Sequence, residues 1–217
     1  MMFYGVEVIM DKMAREYAWR DLVTNEVLRA TPAATEVIVE LGSGWSANVF
    51  NLWLRGAPRN AAYFGAELTQ AGRQAAIAIA ATRPEMSFAA PIFDWSFPDF
   101  SFIPSDARSI TVYSCHSIEQ IPELNPDALR DLLRRTASAE NVQGVFIEPI
   151  GWQFPEYLDP VIVERCQSYS HEKNYNRNCR RMMETLIDEG LIKITSSALN
   201  AFGLAVNPST VIHWQRI

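Results

Sequence analysis

Val37-Ile-Val-Glu-Leu-Gly-Ser-Gly-Trp-Ser46 is the stretch on which the fold of this chain turns. Val37-Ile-Val39 is a β-branched run with no polar alternation, the pattern of a strand buried on both faces. The run ends in a carboxylate, Glu40, and then bends through Gly42 and Gly44 into a helical pattern. Glycine lacks a Cβ, so the backbone can turn tightly there and a ligand can approach main-chain amides at the start of the next helix. The segment therefore predicts a strand, a turn and a helix built around a nucleoside-bearing ligand.

Two ligand chemistries fit the segment. As Gly42-x-Gly44-x-x-Ala47, with Glu67 further along to hold a ribose, it satisfies the dinucleotide fingerprint of a nicotinamide enzyme. Glu40 argues the other way, because a carboxylate just before the turn would repel a pyrophosphate. S-adenosyl-L-methionine carries a sulfonium and an ammonium in place of phosphates, and a carboxylate favours both. Glu67 serves either ligand and does not separate them.

Outward from this segment the chain alternates strand and helix: strands at 37–41, 62–67, 87–91, 109–114 and 144–149, helices at 45–56, 69–82 and 126–139. Elements of this length in this order predict a parallel sheet covered on both faces. Upstream, Ile9, Met13, Tyr17, Leu22, Val27 and Leu28 recur at near-helical spacing up to Thr31-Pro32, which predicts one or two helices over 8–30 beside the sheet. Downstream, 150–174 is rich in aromatics and poor in periodicity. A helix over 174–189, closed by Gly190, and two closing strands at 191–195 and 210–214 follow.

With these segments in place, Glu40-Leu-Gly-Ser-Gly44 resembles motif I of the class I S-adenosylmethionine-dependent methyltransferases. Ala62-Tyr-Phe-Gly-Ala-Glu67, Pro91-Ile-Phe-Asp-Trp95, Ile110-Thr-Val-Tyr-Ser-Cys-His-Ser117 and Val145-Phe-Ile-Glu-Pro149 resemble the ends of that family's second to fifth strands, in order. The likeness covers roughly residues 35 to 217. One departure stands out: the family often has a third glycine where this chain has Ser46.

The resemblance implies a Rossmann-like α/β fold: a mostly parallel seven-stranded sheet whose last strand is antiparallel, with helices on both faces. It implies S-adenosyl-L-methionine as cofactor, held by Glu40, Gly42, Ser43, Gly44, Trp45, Glu67, Leu68, Phe93, Asp94, Trp95 and Ser114. Within that set Glu67 would bind the ribose hydroxyls and Asp94 the adenine amino group, with Phe93 or Trp95 flanking the ring. His116 would sit beside the transferred methyl, and a histidine titrates where a general base should. Glu119, three residues on, would orient the imidazole or hold an acceptor hydroxyl. Trp152, Tyr157, His171 and Tyr175, in or next to the aromatic insertion, would form the acceptor wall. His213, in a closing strand, reads as structural.

A chain of 217 residues suffices for one substantial core, so 1–217 is expected to be a single domain. The formal charge of −6, with no basic block beyond Arg134-Arg135 and Arg180-Arg181, argues against a nucleic-acid substrate. No apolar stretch is long enough to span a membrane, and Glu7 and Asp11 interrupt the start of the chain. Cys115, Cys166 and Cys179 lack metal-type spacing and suit reduced thiols in a cytoplasmic protein. No metal is expected, since the histidines are far apart in sequence, and nothing in the sequence specifies a homo-oligomer.

The reading that follows is O-methylation of a small molecule, at a sugar or other metabolite hydroxyl, in preference to N-methylation. Ser114-Cys-His-Ser117 stands where the base amino-methylating enzymes of nucleic acids have Asn/Asp-Pro-Pro-Tyr. A single-domain nicotinamide-dependent reductase and a non-catalytic cofactor-binding partner subunit are the alternatives, although the chain lacks the Tyr-x-x-x-Lys of common short-chain reductases after the fourth strand.

Overall fold

The computed structural model describes residues 1–125 and 127–217. In chain order its elements are β1 (Met2–Phe3), β2 (Val6–Glu7), α1 (Lys12–Arg29), β3 (Val37–Leu41), α2 (Ala47–Leu54), β4 (Ala62–Ala66), α3 (Gln70–Ala80), β5 (Phe88–Ala89), β6 (Ser109–Cys115), α4 (Asp127–Arg135), β7 (Asn141–Glu148), α5 (Pro160–Glu172), α6 (Cys179–Asp188), β8 (Ile192–Leu204) and β9 (Asn207–Arg216). The start of the helix predicted from 126 lies outside the described residues.

All strands join one sheet in the order β2-β1-β8-β9-β7-β6-β3-β4-β5. From β5 to β7 the pairing is parallel, and β9 lies antiparallel to both β7 and β8. This is the expected seven-stranded pattern with an antiparallel last strand, extended by a short β1–β2 hairpin at the β8 edge. The hairpin is a departure from the sequence reading. Its strands are two residues each, too short to show an alternation, and they form because β8 offers a free edge: Met2 pairs with Gly203 and Phe3 with Phe202.

The central strand β3 is buried along its whole length. Val37, Val39 and Leu41 enter one core with Leu129, Leu132 and Leu133 of α4 and Met182, Met183 and Leu186 of α6. Ile38 enters the opposite core with Leu22, Val23 and Val27 of α1 and Val49, Leu52 and Trp53 of α2. Adjacent residues of one strand thus serve two apolar layers, which is why it shows no polar alternation.

Residues 160–172, read from sequence as part of an irregular insertion, form helix α5. The residues it buries include Cys166 and Ser170, so its inner face carries no conventional hydrophobic stripe. The available signal was Asp159-Pro160: the Asp159 side chain accepts from Val161 N at 2.8 Å, and Pro160 opens the first turn. The helix predicted over 174–189 begins later, at Cys179, and the strand predicted over 191–195 runs on to Leu204 with register shifts along it.

Candidate active site

On either side of β3 the chain winds in opposite directions across the sheet, and the carboxyl ends of β3, β4 and β6 meet where it switches. In open α/β sheets that point forms a ligand crevice. The glycine turn lies there with positive φ at Gly42 (74°) and Gly44 (57°). Gly42 N and Ser43 N both donate to Ala66 O, at 2.8 and 3.0 Å, tying the turn to the end of β4. A side chain at Gly42 would overlap Ser117, whereas one at Gly44 would meet nothing within 4 Å. The turn is therefore closed toward the protein at its first glycine and open at its second.

Ser46, where the family often has glycine, adopts the left-handed backbone itself (φ 64°) and is completely buried. Its hydroxyl hydrogen-bonds Ser43 Oγ at 3.0 Å, and Gly65 of β4 makes room for it, since a Cβ there would overlap Ser46 Oγ. A glycine on the neighbouring strand thus accommodates the missing glycine of the turn.

At the end of β6, His116 also has positive φ (53°), a conformation uncommon for non-glycine residues and often found at functional sites. Its Nδ1 faces Glu119 Oε1 at 3.2 Å and its Nε2 faces Ser209 Oγ at 2.6 Å. Trp19 of α1 stands edge-on to the imidazole, with ring centroids 5.0 Å apart. Glu119 is held further by Gln120 Nε2 at 2.9 Å and Asn207 Nδ2 at 3.1 Å. The imidazole opens onto a cavity of about 380 Å³ whose walls include Arg15, Trp19, Tyr169, Tyr175, Phe202 and Ser209. Burial pulls the His116 imidazolium down, but the Glu119 hydrogen bond and the charges of Glu119 and Glu148 outweigh it, leaving its pKa above the ordinary 6.5.

Sequence comparison matches the chain to no protein-family profile and to no curated protein. Solved structures do match. Magnesium protoporphyrin IX methyltransferase from Synechocystis PCC 6803, solved with bound SAH, superposes with a TM-score of 0.59 at 8% identity over 99% of this chain and 91% of that one. Geranyl diphosphate methyltransferase in complex with GPP and sinefungin gives 0.58 at 11% identity over 93% and 78%. Mitomycin 7-O-methyltransferase gives 0.53 at 14% identity over 95% of this chain and 58% of that one. The chain has the class I methyltransferase fold.

Within this methyltransferase fold the residues expected on the cofactor side fall into an open and a buried group. Trp45 (50% exposed), directly after the glycine turn, and Leu68 (54%), directly after Glu67, lie open, as does Ile92 (61%), which is bridged to Glu67. Glu67 accepts from Gly44 N at 2.9 Å and from Thr69 N at 2.8 Å, so its carboxylate braces the turn. Asp94 is half-buried, with Oδ1 accepting from Ser96 N at 2.8 Å in a local turn. Ser114 is fully buried within β6.

Three expectations need correction. Glu40 is not an open carboxylate: it is buried, accepts from Asn48 Nδ2 at 2.6 Å and Tyr113 Oη at 3.3 Å, and burial pushes its pKa up to about 8. It ties the end of β3 to α2 and to β6. Phe93 and Trp95 are core residues, packed edge-to-face at 5.0 Å, with Trp95 Nε1 donating to Ser117 Oγ at 3.1 Å. The open apolar side chain of that segment is Ile92, which the sequence reading passed over because its side of the segment follows from the bridge to Glu67.

The aromatic wall, finally, does not assemble as one surface. Tyr175 reaches the His116 cavity. His171 is two residues from Tyr169 on α5, hence on a different helix face, and packs on Trp152 at 6.1 Å. Trp152 borders a groove with Gln167 and Arg181, while Tyr157 lines a separate apolar cavity with Met183 and Ile194. Trp19 and Tyr169 stand in the His116 cavity instead. Trp19 comes from the N-terminal helix, whose packing against α2, β7 and β8 no local pattern announces.

Proposed function

We propose that this protein is an S-adenosyl-L-methionine-dependent methyltransferase that methylates a small molecule, at the hydroxyl of a sugar or other metabolite. One observation carries the reading: the glycine turn and the His116 turn are packed against each other through Ser117. Ser117 Oγ donates to Leu41 O at 2.6 Å, immediately before the glycine turn, and its side chain fills the space that a Cβ at Gly42 would need. A cofactor crevice and a basic acceptor cavity are thus neighbours.

The residues fit this cofactor. Trp45, Leu68 and Ile92 offer exposed apolar surface for a nucleoside, Gly44 opens into free space, and the carboxylate of Glu67 lies at the second strand end. When bound, S-adenosylmethionine supplies an electrophilic methyl carbon on a sulfonium. In-line displacement needs little further chemistry from the protein beyond holding the acceptor in a dry pocket and removing its proton. Glu119 holds the Nδ1–H form of His116, so Nε2 is the basic nitrogen. The acceptor hydroxyl takes the place of the Ser209 hydroxyl at Nε2 and passes its proton there.

The antiparallel β9 between β7 and β8 favours a methyltransferase over a dinucleotide fold. Solved relatives of the fold carrying SAH or sinefungin support the same choice. Among the described residues no helix is long and apolar enough to cross a membrane, and no cluster of His, Cys, Asp and Glu is suited to a metal. Calorimetry with S-adenosylhomocysteine and NADH tests the reading. Binding of the first and not the second is expected; the reverse result would overturn it.

A further inference from the structure

We propose that Glu148 is a positioning residue for His116: a buried carboxylate at the end of β7 that clamps the turn carrying the imidazole and brings a negative charge near it. The inference rests on the reading of His116 as the base. Glu148 is completely inaccessible, and its carboxylate receives three successive backbone N–H groups: Ser117 N at 3.1 Å and Ile118 N at 3.2 Å on Oε1, and Glu119 N at 3.2 Å on Oε2. These are the first N–H groups of the 3-10 turn at Ile118–Gln120, which have no partner within the turn. One side chain therefore fixes the backbone that bears Glu119, the partner of His116 Nδ1, and Ser117, the link to the glycine turn.

His116 itself hangs between elements that Glu148 helps to register. Its N–H donates to Ile147 O at 3.1 Å, one residue before Glu148. The other charged or titratable groups around the imidazole are Glu119 on its own turn, Cys115 on β6, Arg15 and Glu16 on α1, and Tyr169 and Tyr175 from α5 and the loop after it. Glu119 and Glu148 are the two whose charge raises the imidazole. Burial in turn pushes Glu148 up to about 7, and the imidazolium charge of His116 opposes that rise. The charge on each group thus enters the titration of the other. A carboxylate that merely capped the turn would affect stability and leave the imidazole alone.

The test is an NMR titration of the histidine rings in the full chain, wild type and Glu148→Gln, with the His116 signals assigned by their loss in His116→Gln. The glutamine oxygen can still accept from Ser117 and Ile118, while the charge and the Glu119 N–H bond are lost. The expected result is a folded variant in which His116 titrates at lower pH than in the wild type. An unchanged His116 titration in a folded Glu148→Gln variant would overturn the proposal. Should that variant fail to fold, the wild-type protein still decides. The Glu148 side-chain carboxyl carbon should respond to pH in two steps, one shared with His116, and a single step near the ordinary value of about 4.3 would sink the proposal. These readings are made on the protein alone, so S-adenosylhomocysteine binding reports separately on the methyltransferase reading.

Discussion

At the scale of single residues, the candidate chemistry converges on one imidazole with both ring nitrogens engaged. His116→Ala is expected to lower turnover on the true acceptor by about 10²–10⁴, while calorimetric affinity for S-adenosylhomocysteine stays unchanged. The wild-type rate should rise with pH through a value above the unperturbed 6.5, because Glu119 and Glu148 favour the protonated ring that must first be emptied. A variant with full turnover would remove His116 as the base. Glu67 makes a different prediction. Its carboxylate braces Gly44 and Thr69, and Glu67→Ala should weaken S-adenosylhomocysteine binding by roughly 1–3 kcal/mol, as charge-assisted hydrogen bonds at a ligand site do. Unchanged affinity with a lowered melting temperature would make it purely a brace.

At the scale of elements, the glycine turn is the least tolerant segment. Gly42→Ala puts a Cβ onto Ser117 at a φ of 74° that L residues seldom adopt, so both strain and overlap oppose it. Chemical denaturation should show a loss of several kcal/mol (about 2–4). Gly44→Ala meets no neighbour, so only the backbone term applies and the loss should be smaller. Equal losses for the two would contradict the view that the turn is closed at one glycine and open at the other. Helix α5 offers an independent check: Asp159→Ala removes its cap and should cost about 1 kcal/mol.

At the scale of the whole molecule, buried titratable groups tie stability to pH. Burial pushes Glu40 up to about 8 and Glu148 up to about 7, above the ordinary carboxyl value of 4.5. Each binds its proton more tightly when folded, so its contribution to stability falls as pH rises from about 4.5 toward its folded value. His116, also raised, contributes below 6.5 and loses that contribution as pH rises through its folded value. Glu26 acts in the opposite sense. Its hydrogen bond to His213, which ties α1 to β9, holds it below 4.5, and its contribution is lost only as pH falls through that lower value. Unfolding free energy should therefore peak near pH 5 and fall by on the order of a few kcal/mol by pH 8. Urea melts across this range check it, and a flat or rising profile would contradict it.

The strand at Val37–Leu41, the glycine turn and the parallel order of the following strands were legible because each is a local property: a short apolar run, a missing Cβ, a repeated alternation of element lengths. The antiparallel last strand and the placement of His116 came from the resemblance to the methyltransferase family, not from a local pattern. What the linear pattern could not carry was which side of a strand end faces the crevice, and what distant chain arrives there. Glu40 and Phe93 look like site residues in sequence, yet Asn48 and Tyr113 enclose the first and the edge-packed Trp95 the second. Trp19 and Ser209 come to His116 from opposite ends of the chain. Only the tertiary fold decides such meetings, because a buried polar or aromatic group is fixed by the partners that packing brings to it, and those partners are remote in sequence.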